Sequence, residues 1–460
     1  MSDASVPVPV GALGETWIRP TSTAERVAEG RAHRRRVPRR SLGLSIAHDR
    51  DPLGIIAEQN ATRVPELVPL RMERMSQSPF AFYRGTAAIM AADLAADPHS
   101  ELTIPSCGDA HVANFGFYAS PQRSLVFDLN DFDEAAWAPW EWDLKRLVTS
   151  VVIAGQATGR DEAVTTDAAR ATVRAYAAAM SASVALSPTA RYFAHVDAEV
   201  GIGELDRASR AALRAATRDA RRRTGERAAR KLTRADTDGR LVFVENPPTM
   251  THGEPEIERR IPAFVARYAA SAQADVRQLI GAYTVADVAR RVVGVGSVGT
   301  RCALVLLQDG DGNALIMQSK EACRSVLEQY GGIAQPQVLR DHIERHGEGG
   351  RVVALQRMLQ AMSDPLLGYL RSDATDLYVR QFHDMKGGID AETLEDGPFA
   401  RYARACAVTL ARAHSQSTHA ATIAGYVGRG RTLAEVLVPW AYTYAETSRR
   451  DYDAFVAAQA

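Results

Sequence analysis

Residues 107–116 read CGDAHVANFG, and residues 127–144 read FDLNDFDEAAWAPWEWDL. The first stretch sets Asp109 five residues before Asn114. The second supplies carboxylates at Asp128, Asp131, Asp133 and Glu134. Asp and Asn in a turn are ordinary as caps, because both side chains bond nearby backbone. So many acids so close together are another matter, since they repel one another unless a cation neutralises them. Transfer of a phosphoryl group from a magnesium nucleotide uses such a set. One Asp positions and deprotonates a hydroxyl acceptor, while an Asn and a second Asp hold Mg²⁺ through hard oxygen ligands. His111 has no His or Cys partner at metal-binding spacing, so it is expected to orient the loop rather than hold a metal.

Working outward, LVFDL (residues 125–129) is short, apolar and β-branched, and reads as a strand that delivers the acids. WEWDLKRLVTSVVIAGQATG then reads as a helix. Upstream, PFAFYRGTAAIMAADLAAD places Tyr83, Ala87, Met90 and Leu94 on one face of a single amphipathic helix that ends before Pro98. Residues 1–60 are rich in Pro, Ser and Arg with little periodicity, and are expected to form an extended arm. Its RRRVPRR cluster (residues 34–40) is expected on a solvated surface or clamped on acidic surface of the same protein.

The chain has 460 residues, enough for two lobes. Apolar residues make up 46% and charged residues 24%, while Lys+Arg and Asp+Glu are both 55. That balance provides no global field to draw nucleic acid or an anionic membrane, and no nucleic-acid partner is expected. The basic run RDARRRTGERAARKLTR reads as a wet helix face within an Ala- and Arg-rich helical stretch from Ala163 to about Leu232. Cys107, Cys302, Cys323 and Cys406 are scattered, which suits reduced thiols rather than a disulfide framework. The N-terminal residues lack the charge and apolar core of a signal peptide, and no run approaches the roughly 18 apolar residues of a membrane helix. A soluble cytoplasmic protein is expected.

The texture changes at about Thr284. Strand, Gly-rich turn, strand, DGDGN hairpin, strand and helix follow in VADVARRVVGVGSVGTRCALVLLQDGDGNALIMQSKEA. GVGSVG (residues 294–299) fits G-x-G-x-x-G, but the strand that follows it disfavours a dinucleotide-binding fingerprint, which needs a helix there. A Gly-rich loop between two strands is instead the kinase arrangement, in which backbone N–H groups close over nucleotide phosphates. Lys320 ends the third strand, where a kinase-like fold puts the lysine that pairs with those phosphates. RVVALQRML and DLYVRQF read as further strands. FARYARACAVTLARAHSQ sets Phe399, Tyr402, Cys406 and Leu410 on one helical face, and the C-terminal residues read as helix.

SPFAFYRG, CGDAHVANFG, LVFDLNDFDEA, WEWDLKRL, GVGSVGTRC, QSKEA and YVRQFHDMKG together resemble the bacterial "domain of unknown function twenty-two fifty-two" family, from about Arg31 to the C-terminus. More distantly, CGDAHVAN and NDFD resemble the HGDxxxxN and IDF motifs of aminoglycoside phosphotransferases and choline kinases, with Asp143-Leu144 matching an Asp-Leu pair that follows. Cys107 stands where those enzymes have His, and Asp133 where protein kinases have the Gly of DFG. The resemblance implies an α+β, protein-kinase-like two-lobed fold with a large, mainly helical lobe and a small antiparallel-sheet lobe. It implies Asp109 as catalytic base, and Asn114 and Asp131, with Asp133, as ligands of Mg²⁺ or Mn²⁺. Gly294, Gly296, Ser297, Gly299 and Lys320 would hold ATP. Glu321, Glu328 and Glu344 are candidates for the glutamate that pairs with Lys320.

In this chain the catalytic loop precedes the Gly-rich loop, the reverse of kinase order, and a circular permutation reconciles the two. The expected organisation is an N-terminal arm (1–60), a helical lobe with the catalytic and metal loops (61–285), a small nucleotide-binding lobe (286–389), and C-terminal helices that complete the helical lobe (390–460). The expected activity is ATP- and Mg²⁺-dependent transfer to a hydroxyl of a small molecule or protein. Transfer of AMP, a nucleotide-binding pseudoenzyme and a metal-dependent phosphohydrolase are the alternatives.

Overall fold

The computed structural model describes residues 18–197, 205–252, 255–292, 294, 296, 298–371 and 375–459, with the backbone alone at 255–260. The protein is mixed α+β, 55% helical, and its sheets are antiparallel. The four cysteines are free. Among the described residues no helix is long and apolar enough to cross a membrane.

The strand run after Thr284 forms as expected. Thr284–Arg291, Cys302–Gln308 and Ala314–Glu321 pair in sequence as neighbours. Asp376–Gln381 pairs with Ala314–Glu321, and Gly368–Arg371 with Asp376–Gln381. A short strand, Met250–His252, closes the other edge to make six. CALVLL is apolar up to Gln308 because both of its faces are covered. Leu304 and Leu306 pack towards Phe243 and Ala229, whereas Val305 and Leu307 pack towards Tyr268 and Ile280.

RVVALQRML departs from expectation. It is the second half of a helix, Gln337–Leu359, which kinks at Gly347 and packs on the strands Gly368–Arg371 and Asp376–Gln381. Its Val352, Val353, Leu355 and Leu359 are buried at helical spacing, and the β-branched pair and preceding glycines mimic a strand signal. The helix expected from Ser78 is two helices, Pro79–Arg84 and Ala87–Ala96, broken at Gly85-Thr86.

The arm is also not extended where it is described. Thr23–His33 and Pro52–Ala61 are helices. Thr23–His33 crosses Ala420–Val427 so closely that a Cβ on Gly30 would lie 1.9 Å from the Thr422 carbonyl oxygen. The basic cluster caps that second helix: Arg34 Nε donates to the Tyr426 carbonyl (2.8 Å) and Arg39 to that of Val427 (3.1 Å). Cations at the C-terminal end of a helix meet its unpaired carbonyls and its negative pole. The basic run at 218–234 lies on the helices Arg207–Arg222 and Gly225–Leu232 and the start of the next strand, and is mostly exposed.

The largest core joins the loop at 107–114 to long helices. Trp140–Ala157 is buried along almost its whole length, and Glu162–Ala185 packs against Asp396–His414. Phe399, Tyr402, Cys406 and Leu410 are all buried on the expected face.

Candidate active site

The turn that carries Asp109 follows a short strand, Thr103–Ser106, paired with Ala136–Pro139. Gly108 has φ +81°, and a Cβ there would lie 2.2 Å from the Glu134 carbonyl oxygen, so only glycine fits. Asp143, in the first turn of Trp140–Ala157, accepts the backbone N–H groups of Cys107 (2.8 Å) and Gly108 (3.0 Å). Asn114 Nδ2 donates to the Asp109 carbonyl (2.7 Å), which leaves the amide oxygen as its free end. From above, Tyr402 Oη donates to the Val112 carbonyl (2.7 Å).

Asp109 Oδ1 accepts Arg146 Nε at 2.9 Å, and His111 Nε2 lies 3.6 Å from Oδ2. Burial raises the Asp109 carboxyl above the usual carboxylate range, with Arg146 opposing. Burial, then Arg146 and Arg84, keep the His111 imidazole neutral. Asp109 is therefore a partly buried carboxyl group that Arg146 holds in one orientation.

The strand Leu125–Leu129 delivers the acids, and they separate by role. Asp128 faces inward and accepts backbone N–H groups from Leu129 and Ala361 (2.8 and 2.7 Å), a structural task. Asp133 pairs with Lys320 and accepts Tyr378 Oη at 2.5 Å, so both of its oxygens are engaged. Lys320 Nζ also lies 3.7 Å from Asp131 Oδ1. That oxygen is buried and has no hydrogen-bond partner. Burial raises the Asp131 carboxyl, yet Lys320, Arg380 and Lys386 outweigh burial and bring it down to about 2.

None of the candidate glutamates meets Lys320. Glu321 pairs with Arg301 and Glu328 with Arg324, each at 2.8 Å, and the Glu344 carbonyl accepts Arg371. The helix Gln337–Leu359 instead sends Arg351 to the carbonyls of Asp133 (2.9 Å) and Ala135.

Two adjoining cavities meet here. One, of about 270 Å³, is lined by Asp109, Asn114, Asp131, Asp133, Gly294 and Gly296. The other, of about 400 Å³, takes in Lys320, Arg380 and Lys386. Arg84, Asn114, Asp131 and Gly294 line both. The structure thus brings Asp109, Asn114, Asp131, Asp133, Lys320, Gly294 and Gly296 around one cleft. Gly299 lies behind, where its carbonyl accepts Val64 N–H at 2.8 Å. Ser297 lies outside the described residues.

The donors fit Mg²⁺ in one way only. Among the described residues no three His, Cys, Asp or Glu side chains are grouped to hold a metal. Asp131, which faces Lys320 but accepts no hydrogen bond at Oδ1, and the Asn114 amide oxygen are the donors that would hold it, and a magnesium site of that kind is completed by phosphate oxygens and water.

Sequence reasoning did not assign Arg84, Arg380 or Lys386, although SPFAFYRG and YVRQFHDMKG contain them. Isolated Arg and Lys after helices and strands look like surface residues. Only the fold shows that the Lys386 ammonium is lowered to about 7, by burial and then by Arg380.

No curated protein and no solved structure matches the chain. Residues 63–458 match a family model and carry every residue of the cleft except Glu58, Gln59 and Thr62, so the chain belongs to DUF2252, described as an uncharacterized protein conserved in bacteria.

Proposed function

We propose that the protein is an ATP- and Mg²⁺-dependent phosphotransferase of kinase-like design that acts on a hydroxyl acceptor. The observation that carries this reading is the meeting of Lys320 and Asp131, 3.7 Å apart, on the cleft that Asp109, Asn114 and the Gly-rich turn also line. The order of elements supports it: Gly-rich turn between two strands, lysine on the third, then a one-turn helix, the long helix Gln337–Leu359 and two more strands. A kinase-like nucleotide lobe uses that order. The helix Asp396–His414, which bonds the loop at Val112 through Tyr402, supports the permuted arrangement of the second lobe.

In this reading Asp109 takes the proton of the acceptor hydroxyl as the acceptor oxygen bonds to the γ-phosphorus of ATP, while the bond from that phosphorus to the bridging oxygen breaks and ADP leaves with its electron pair. Arg146 fixes the carboxylate towards the first cavity, and the Asp143 hydrogen bonds keep the turn in place. Asp131 and Asn114 would hold Mg²⁺, which when bound neutralises phosphate charge. Lys320, held against Asp131 and Asp133, presents its charge to the phosphates. The departure from kinase design is that Asp133, rather than a helix glutamate, pairs with the lysine.

Thermal unfolding with ATP, Mg²⁺ and both together tests the reading. A ligand that binds only the native state raises stability by RT ln(1 + [L]/Kd). ATP is expected to stabilise the protein only when Mg²⁺ is present. Stabilisation by metal alone would point to the phosphohydrolase, and no response to ATP would remove the proposal.

A further inference from the structure

Among the described residues five arginines line the two cavities, and four are committed. Arg63 donates to the Val298 carbonyl and Arg380 to Gln318 Oε1 at 3.0 Å. Arg223 pairs with Asp219 at 2.6 Å, and Arg324 with Glu328 at 2.8 Å. Arg84 is the exception. Its Nε is buried without a hydrogen-bond partner, and its terminal nitrogens make no hydrogen bond or ion pair among the described residues. Arg71 and Arg160 also leave Nε unpartnered, but each is bonded through its other nitrogens.

The backbone around Arg84 is tied to the turn that carries Asp109. Arg146 donates from Nε to Asp109 Oδ1 at 2.9 Å and from Nη2 to the carbonyl of Tyr83, the residue before Arg84, at 2.7 Å. Tyr83 Oη returns a bond to the Arg146 carbonyl at 3.0 Å. On the other side, the fully buried Arg71 donates to the Gly85 carbonyl at 3.3 Å. The charge of Arg84 reaches the carboxyl group as well: burial raises Asp109, and both Arg146 and Arg84 oppose it. With Asn114 and Asp131, Arg84 lines both cavities. It therefore borders the proposed base and the proposed metal donors together.

A buried guanidinium nitrogen without an acceptor costs free energy, and the oxygens of an anionic ligand would offset that cost. In phosphoryl transfer the charge spreads over the equatorial oxygens of the group in flight, which the fork of a guanidinium matches.

We propose that Arg84 is a catalytic residue that holds the phosphoryl group in transit. This rests on the phosphotransferase reading above and adds a residue to that same site. The acceptor oxygen bonds to the γ-phosphorus, and the bond from that phosphorus to the oxygen bridging to the β-phosphate breaks. Its electron pair leaves with ADP, and the acceptor proton passes to Asp109. Arg84 neither gives nor takes a proton. Its N–H groups meet the non-bridging oxygens, and do so more strongly in transit than in bound ADP, which is the differential binding that speeds a reaction.

Calorimetry on the full chain with Mg-ADP, alone and with aluminium fluoride, tests this. The planar fluoride anion stands in for the phosphoryl group between donor and acceptor. The wild type is expected to bind Mg-ADP more tightly when the fluoride is present. Arg84→Gln should lose that gain by about tenfold or more, the scale of a lost charge-assisted hydrogen bond, while binding Mg-ADP alone as the wild type does. Arg84→Lys keeps the charge without the fork, so it should recover part of the gain, and it carries the test if the Gln variant does not fold. An equal loss of affinity with and without fluoride would make Arg84 a structural residue and overturn the inference. A gain that both variants retain, or that the wild type lacks, would overturn it too, and each of these results leaves the phosphotransferase reading standing. Failure of the wild type to bind Mg-ATP would instead remove that reading, and the inference with it.

Discussion

His414 Nε2 lies 3.1 Å from Asp143 Oδ2, both side chains are fully buried, and 271 residues of chain separate them. The other imidazole nitrogen meets Tyr176 Oη at 2.8 Å, and the Tyr176 ring stacks on Trp140. The helix Asp396–His414 thereby holds the carboxylate that in turn holds the turn before Asp109. Asp143→Ala leaves the N–H groups of Cys107 and Gly108 buried without partners, at about 1–3 kcal/mol for each unsatisfied group. The variant is expected to unfold at lower denaturant with an unchanged slope. Its turnover should fall further than stability accounts for, since Asp109 loses its fixed position.

In the proposed reaction Asp109 and Lys320 touch different parts, so they should respond differently to substitution. A general base acts as the proton moves, so Asp109→Asn is expected to lower turnover of Mg-ATP by ~10²–10⁴-fold with nucleotide affinity unchanged. Lys320→Met should weaken Mg-ATP binding as well as slow turnover. It also strips the counter-charge from Asp131 and Asp133, so its stability should fall, but by less than the roughly 3–5 kcal/mol of a fully buried pair, because both carboxylates reach solvent. Calorimetry, steady-state kinetics and denaturant unfolding on the two variants separate these outcomes.

Where local pattern and final environment agree, the fold was legible in the sequence. LVFDL, the Trp140 helix, the strands around GVGSVG and the face Phe399–Tyr402–Cys406–Leu410 carry a clear period and are buried accordingly. RVVALQRML was misread because β-branched residues after glycines signal a strand locally, while the sheet beneath them needed a helix to cover it. The N-terminal helices were missed because Thr23–His33 is stabilised by crossing Ala420–Val427 and by its Ser22 cap, with little apolar period of its own. At the site, residue types and spacing pointed to Asp109, Asn114, Asp131 and Lys320. The pairing of Lys320 with Asp133 depends on how the two loops dock, which no local pattern records.

Glu134 supplies a pH dependence of stability. It lies beside the Asp109 turn and accepts the Val326 N–H at 2.8 Å. Burial raises its carboxyl from 4.5 to about 7. Within that window the native state keeps a proton that the unfolded chain has released, so the stability this group contributes is full below pH 4.5 and declines as pH rises towards 7. Glu134→Gln keeps an acceptor for Val326 and cannot ionise. Urea unfolding at the two ends of the window should show a smaller loss of stability on raising pH in the variant than in the wild type. Equal losses would mean that Glu134 is ionised in the native protein throughout.

The Gly-rich turn is held from outside by a segment far from it in sequence. Val64 N–H donates to the Gly299 carbonyl at 2.8 Å, Arg63 donates to that of Val298, and Arg74 Nη1 to that of Gly294 at 2.6 Å. Leu67, Val292 and Val298 form a small core beneath these bonds. In the proposed function this turn closes its backbone over phosphates, which costs conformational freedom, and ordering it in advance lowers that cost. Arg63→Ala and Arg74→Ala together should therefore loosen the turn without unfolding the sheet behind it. Amide exchange at Gly294 and Gly299 is expected to quicken by at least ~10-fold, the opening equivalent of about 1.4 kcal/mol of lost hydrogen bonding. Exchange at Leu304 and Leu306, in the covered strand, should stay at its wild-type rate. If the proposed function holds, Mg-ATP affinity should fall in the same double variant, because the carbonyls of Gly294 and Val298 then lose the bonds that hold them.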